Sequence, residues 1–378
     1  MLQAQLFEQF QWFHRRPELG NEEVETTGRI REILTELGVE ILDLPLKTGL
    51  VARVSGQEGP TIALRADIDA LPVAEETGLR YASGTPGKMH ACGHDFHLTA
   101  LLGAAQLLHA RRGNLKGTAL LLFQPAEEIG AGAAQVLQAG ALEGVREIYG
   151  LHTSPELAPG VIAVSAGANT GAVGGFRAEI HGKGGHASAP EDCVDPIVAA
   201  AQFIMAAQTI VSRFTSPFEP VVITAAKIIA GDTWNVIPES ALIEGTIRTL
   251  GTALFAKVGD QLGEIAKGIA LASGTRIDYL WQMGAPSTNN DPVLSDFTAG
   301  IAQEQGFAVV PNQPSLGGED FALYQQKLPG VFFFIGTGGL GQPQAHHPKF
   351  AVDATQLAPA AELLAALAAR ALEREVAQ

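Results

Sequence analysis

Nine consecutive residues, MHACGHDFH from Met89 to His97, hold three of the chain's ten histidines and one of its two cysteines. Cys92 and His94 are separated by a single glycine, so a thiolate and an imidazole on one turn could bind one cation or two adjacent ones. A lone buried thiol or a histidine at a helix start is ordinarily structural. Accumulation changes that balance. Glu127 and Glu128 stand together in QPAEE, just after a run of apolar residues, where two merely solvated carboxylates are out of place. His152 follows in EIYGLHTSP, and His346 and His347 in AHHP. Neighbouring glutamates at a metal site suggest a division of labour, one ligating while the other, at a raised pKa, takes and returns a proton. Two divalent cations would be nearly neutralised by a thiolate, a ligating carboxylate, a bridging hydroxide and a second carboxylate acting as base.

The elements that must position these groups are legible as alternating strands and helices. EEVETTGRIREILTEL has helical spacing and stops at Gly38. TIALRADIDALP gives a strand with Asp67 and Asp69 just past its end, and DFHLTALLGAAQLLHARR gives a helix from Asp95 to Gly113. GTALLLFQPAEE, EIYGLHTSP and GVFFFIGTGG are three further strands, the second ending in its histidine. Such alternation predicts an α/β fold, a mostly parallel sheet with helices on both faces, and chemistry beyond the carboxyl ends of its strands. Between Gly174 and Met283 the order becomes β-α-β-β-α-β, a complete ferredoxin-like domain. The expected domains are therefore 1–172 with 284–378, carrying the metals, and an inserted 173–283 serving as lid and dimerisation surface.

Composition narrows the classes of function. At 378 residues the chain exceeds the ~250–300 that one core usually serves. Its net charge of −15 disfavours nucleic acid and anionic lipid. No stretch approaches 18 uninterrupted apolar residues and the first residues do not read as a leader, so a cytoplasmic protein without membrane contact is expected. Two cysteines outside any C-x-x-C pair fit a reducing compartment. GTGGLG at 336–341 follows a strand, but Gln-Pro-Gln succeeds it where a dinucleotide site needs a helix. AVSAG around Ser165 lacks the helix of a nucleophile elbow, and there is no Walker A sequence.

In order along the chain, RADIDALP, MHACGHDFH, QPAEE, GLHTSP, GKGGHASAP, NVIPE, GGEDF and AHHPKF resemble the metal-dependent aminoacylase and carboxypeptidase-type amidohydrolases. The nearest branch is that of hippurate hydrolases, N-acetyl-amino-acid deacetylases and indole-acetyl-amino-acid hydrolases. The resemblance implies hydrolysis of the amide of an N-acyl amino acid by a metal-activated water. It makes Cys92, His94, Glu128, His152 and His346 the ligands of two divalent metals, and Glu127 the general base. Asp69 would orient a ligand histidine. Other branches carry a ligating histidine at the place of Asp67, so here Cys92 becomes the expected bridging ligand. A thiolate favours zinc, with manganese, cobalt and nickel as alternatives. In the insert, His186 would donate to the oxyanion, and Asn235 and Arg248 would hold the substrate carboxylate. Glu319 is placed near the substrate. His90 and His97 are expected to be structural or to lie behind the ligands. Because the expected metals and His186 lie in different domains, a closure of the insert about joints near 172 and 284 is expected, and the insert's helices and sheet edge suit a homodimer, as in many members of the family. A dipeptidase with the same site and a non-catalytic metal- or ligand-binding protein are the competing readings.

Overall fold

The computed structural model describes residues 1–374, and two compact units divide them: Met1–Asn169 with Thr288–Gln313 and Asp320 onward, and Thr170–Ser287 with Pro314–Glu319. The first unit is built on an eight-stranded sheet. Four strands run parallel at its centre, in the order Thr118–Gln124, Thr61–Asp67, Val145–Ser154, Gly330–Gly336. Leu50–Ser55 flanks them antiparallel on one side, with Glu40–Ile41 beyond it. Val161–Ala163 pairs antiparallel with Gly330–Gly336 on the other side, and Ala308–Val310 lies parallel to it at the edge.

These apolar runs become strands buried on both faces because their alternate residues enter two different cores. Ala119, Leu121 and Phe123 join Ile62, Leu64, Tyr149, Leu151, Phe333 and the helices Leu2–His14, His94–Ala110 and Leu357–Glu373. Leu120 and Leu122 face the opposite way, toward Ala63, Ile148, Phe332 and the short helix Gly132–Gln138. Helices thus cover both faces, and the carboxyl ends of the parallel strands collect at one rim.

Three local boundaries differ from the sequence reading. Asp67 closes its strand rather than following it, because buried side chains neutralise it there. His152 lies inside the strand Val145–Ser154, not at its end. The site helix begins at His94, with Gly93 at φ 87° before it. A Cβ on Gly93 would stand 2.5 Å from Thr153 Oγ1, so this position needs glycine for both its backbone and its space.

In the second unit the strands Ala172–His181, Val221–Ala230, Ser240–Thr249 and Arg276–Ala285 form one antiparallel sheet, with Ser240–Thr249 and Ala172–His181 in the middle. The helices Pro196–Thr209 and Thr252–Ser273 pack on one face, where Phe176, Ala178 and Ile180 meet Phe203, Val258 and Leu262. Arg177 and Glu179 alternate outward, Arg177 pairing with Glu244 at 2.7 Å. Asp195 starts the first helix by accepting from the backbone N–H of Ile197 at 2.8 Å. Counted through its π-helical last turn, Pro196–Phe214 is the one described helix long and apolar enough to cross a membrane by length and composition. Ala199, Ala200, Phe203 and Ala207 place its inner stripe in the core of this unit.

Candidate metal centre

At the rim of the parallel strands, Asp69 is fully buried and uses both carboxylate oxygens. One accepts from His94 Nδ1 at 3.2 Å and the other from the backbone N–H of Glu128 at 3.0 Å. The first contact turns His94 Nε2 outward from the turn, 3.8 Å from Glu128 Oε1. Both facing atoms are buried and lack a hydrogen-bond partner among the described residues. Two buried atoms of metal-ligand type that face each other without a hydrogen bond suit a shared cation.

Cys92 Sγ lies 3.5 Å from His152 Nε2. His152 Nδ1 donates to its neighbour's carbonyl, Thr153 O, at 2.7 Å, which leaves the Nε2 lone pair for the site. His346 arrives on the loop after Gly330–Gly336, its Nε2 3.4 Å from Glu128 Oε2. Its backbone N–H donates to Ala91 O at 2.7 Å, tying that loop to the Cys92 turn. His346 holds a left-handed φ of 68°, a conformation that costs a non-glycine residue about 1–3 kcal/mol and persists only where its surroundings enforce it. His347 is exposed, accepts from the Lys349 N–H at 3.0 Å, and belongs to none of the ligand groups among the described residues. Ligand-type atoms of Cys92, His94 and His152 all lie within 4.8 Å of one another, and so do those of Cys92, Glu128 and His346. Cys92 belongs to both groups. Glu127 completes a third with His94 and Glu128.

Electrostatics explain why this cluster suits a cation. Burial pushes the Cys92 thiol up, and burial likewise raises Glu128. Burial and the neighbouring His97 push His152 down to about 3, so it stays a neutral ligand. For His94 burial opposes protonation, but Asp67 and Asp69 outweigh it and hold the imidazole well above its ordinary value. A divalent cation held by these residues would replace those protons and stabilise the thiolate and carboxylate together.

Behind the cluster lies a polar layer that spacing did not reveal as a unit. Arg65 is fully buried, with Nη1 on Asp67 at 2.7 Å, Nε on Gln124 at 2.8 Å and Nη2 on Asp320 at 3.1 Å. Asp67 Oδ1 accepts from His97 Nδ1 at 2.6 Å, and His97 Nε2 accepts from the Thr153 N–H at 2.8 Å. That acceptance fixes the tautomer and takes His97 out of the ligand set. Burial opposes ionisation of Asp67, but His94, Arg65 and His97 hold its carboxyl well below the usual range. Where other branches place a ligating histidine, this chain has an aspartate committed to an arginine and a histidine, with Oδ2 still 3.8 Å from His94 Nε2. Asp320, buried near the same guanidinium, is pushed up to about 6 by desolvation. The signal was present in Arg65 itself, a charged residue in an apolar strand that must find partners. His90 is buried with both ring nitrogens unpartnered among the described residues, and burial lowers it to about 4.

The remaining candidates lie in the second unit. Val236 pairs with His186, and Ala187 N–H donates to Asn235 O at 3.2 Å, so Asn235 stands beside His186. His186 Nδ1 accepts from the Ser188 backbone N–H at 3.1 Å, which puts the imidazole proton on Nε2. Arg248 lies on Ser240–Thr249 and gives one donor, Nη1, to Leu316 O at 2.9 Å. Leu316 and the buried Glu319 belong to Pro314–Glu319, which groups with this unit rather than with its chain neighbours.

Fold and cluster define an α/β protein with a cysteine-histidine-glutamate centre at the carboxyl rim of a parallel sheet. The chain belongs to peptidase family M20/M25/M40, whose model matches residues 63–370. It is 46% identical over 362 residues to an N-acetylcysteine deacetylase of Bacillus subtilis, covering 95% of each chain. It is 40% identical over 368 residues to the IAA-amino acid hydrolase ILR1-like 4 of Arabidopsis thaliana, covering 95% of this chain and 84% of that one. Both relatives fall in the branch that the motifs resemble. Among solved structures, the YxeP protein of Bacillus subtilis, described as a dinuclear metal binding peptidase of the M20 family, superposes with a TM-score of 0.90 at 42% identity. That alignment covers 98% of this chain and 99% of the other.

Proposed function

We propose that this protein hydrolyses the amide bond of N-acyl amino acids, releasing a carboxylate and a free amino acid. By family it is a metal-dependent amidohydrolase. The observation that carries the reading is the pair of overlapping ligand groups, Cys92-His94-His152 and Cys92-Glu128-His346, with Glu127 against His94 and Glu128. Those five residues would hold two divalent cations, with Cys92 as the bridge; the thiolate favours zinc over manganese, cobalt or nickel. When bound, such cations lower the pKa of water and polarise the scissile carbonyl.

Glu127 takes the proton of the attacking water and delivers it to the leaving nitrogen. Asp69 keeps His94 in the tautomer that presents Nε2. His186, with its proton set on Nε2 by Ser188, is the proposed donor to the developing oxyanion, worth about 3–4 kcal/mol. Asn235 and Arg248 are assigned to the substrate carboxylate, with Glu319 nearby. A homodimer through the second unit is part of the proposal, supported by exposed Ile228 and Ile229 on the edge strand Val221–Ala230 and exposed Met205 on the neighbouring helix.

The deciding experiment is elemental analysis of the purified protein followed by assay on N-acetyl, N-benzoyl and N-indoleacetyl amino acids and on dipeptides, with and without chelator. Chelator-sensitive cleavage of the acyl series is expected. Cleavage of dipeptides alone makes the chain a peptidase, and metal-free, chelator-insensitive activity overturns the centre. Glu127→Gln should retain metal and lose about 10²–10⁴-fold in kcat.

A further inference from the structure

We infer that Glu23 is a positioning residue for the Glu127–Glu128 pair, acting through the backbone of Ala126; this rests on the reading of Glu127 as general base. The helix Val24–Leu37 begins just after Glu23, the position whose side chain ordinarily caps the first N–H groups. Here Glu18 takes over that task. Its carboxylate accepts from the N–H groups of Val24, Glu25 and Thr26 at 3.1, 3.0 and 2.8 Å. Glu23 is thereby released to turn inward, where it is fully buried. Oε1 accepts from the Ala126 N–H at 2.8 Å and Oε2 from Thr48 Oγ1 at 2.7 Å. No basic side chain pairs with it among the described residues. Burying a carboxylate without a cation is costly, so the two hydrogen bonds must be worth keeping.

Ala126 shows what the contact secures. Its φ of 53° is one of three positive values among the described non-glycine residues. Such a conformation costs about 1–3 kcal/mol and holds only when over-determined. The Ala126 N–H goes to Glu23, and its carbonyl accepts from the N–H groups of Ala131 and Gly132, each at 3.1 Å. Gly132 is required there, since a Cβ would overlap the carbonyl oxygen of Pro125. The left-handed residue turns the chain off the end of Thr118–Gln124, and Glu127 comes next. On its other side the Glu128 N–H is held by Asp69. Two buried carboxylates therefore bracket Glu127: Glu23 holds the Pro125–Ala126 peptide and Asp69 the Glu127–Glu128 peptide, while the Ala126 carbonyl between them is held by Ala131 and Gly132. A base misplaced by about 1 Å can lose about 10²-fold in rate, so the bracket matters to the chemistry as well as to the fold.

The test uses the full-length, metal-loaded protein with metal content verified. Glu23→Gln keeps an acceptor for Ala126, and its amide nitrogen can donate to Thr48 Oγ1 once that hydroxyl turns from donor to acceptor, so its kcat should stay within about 3-fold of the parent. Glu23→Ala should lower kcat about 10–100-fold while KM moves less than about 3-fold. If Glu23→Ala does not fold, Glu23→Asp withdraws the carboxylate by one methylene and should lower kcat in the same sense. Combining either variant with Glu127→Gln gives the readout that a merely structural role would not move: the further loss should shrink to less than about 3-fold. An unchanged kcat in both Glu23→Ala and Glu23→Asp, or an equal loss with and without the Glu127 carboxylate, overturns the assignment of Glu23. Glu127→Gln keeping more than about a tenth of kcat instead overturns the general-base reading on which it rests.

Discussion

Cys92 joins the His94–His152 group to the Glu128–His346 group, so a change there should act on metal before it acts on fold. Cys92→Ser keeps the size of the side chain but not the thiolate; elemental analysis should show metal lost from the purified variant, with an unchanged circular dichroism spectrum. Retention of full metal would end the bridging assignment. Asp69→Asn should weaken metal affinity about 10–100-fold by isothermal titration, since the contact that orients His94 is altered. The cysteine and histidines were legible in the sequence because such residues are scarce, and the paired glutamates because they follow directly on an apolar strand. Their supports were not. Arg65 meets Asp320 at 255 residues' separation and Glu23 meets Ala126 at 103, and no spacing rule links pairs brought together only by a finished sheet.

Among elements, the helix His94–Ala110 is pinned from outside its own sequence. His14, the last residue of Leu2–His14, lies between Asp95 at 2.6 Å and Glu75 at 3.3 Å, all three buried or nearly so. Burial opposes protonation of His14, but the two carboxylates outweigh it and lift its pKa from the ordinary 6.5 to about 9. A raised histidine stabilises fully below pH ~6.5 and loses that contribution as pH rises through about 9, up to about 3 kcal/mol in all. Urea unfolding of metal-saturated protein should therefore show the advantage of wild type over His14→Gln at pH 6 largely gone by pH 10. A constant difference would mean His14 is not charged in the fold. The strands themselves followed from continuous apolar runs, and the β-α-β-β-α-β order of the second unit from its alternation of periods. The grouping of Pro314–Glu319 with that unit escaped notice, because a six-residue loop has no periodicity to read.

At the scale of the whole molecule, the exposed Ile228, Ile229 and Met205 of the second unit are the surface on which the proposed dimer depends. Light scattering should give twice the chain mass of 39.6 kDa, and Met205→Glu with Ile228→Lys should shift the protein toward the single-chain value. A single-chain mass for the parent at micromolar concentration removes the dimer.

The strand Gly330–Gly336 sits between Val145–Ser154 and Val161–Ala163, two neighbours made long before it. During synthesis that gap stays open until the chain is almost complete, and Phe332, Phe333 and the edges they later cover wait for a late insertion. His346 emerges later still. A chain that ends before Gly330 therefore has neither a closed sheet nor His346, although Cys92, His94, Glu128 and His152 have already been made. The order of strands thus makes the closing of the sheet and the arrival of the fifth proposed ligand events of the last fifth of the chain.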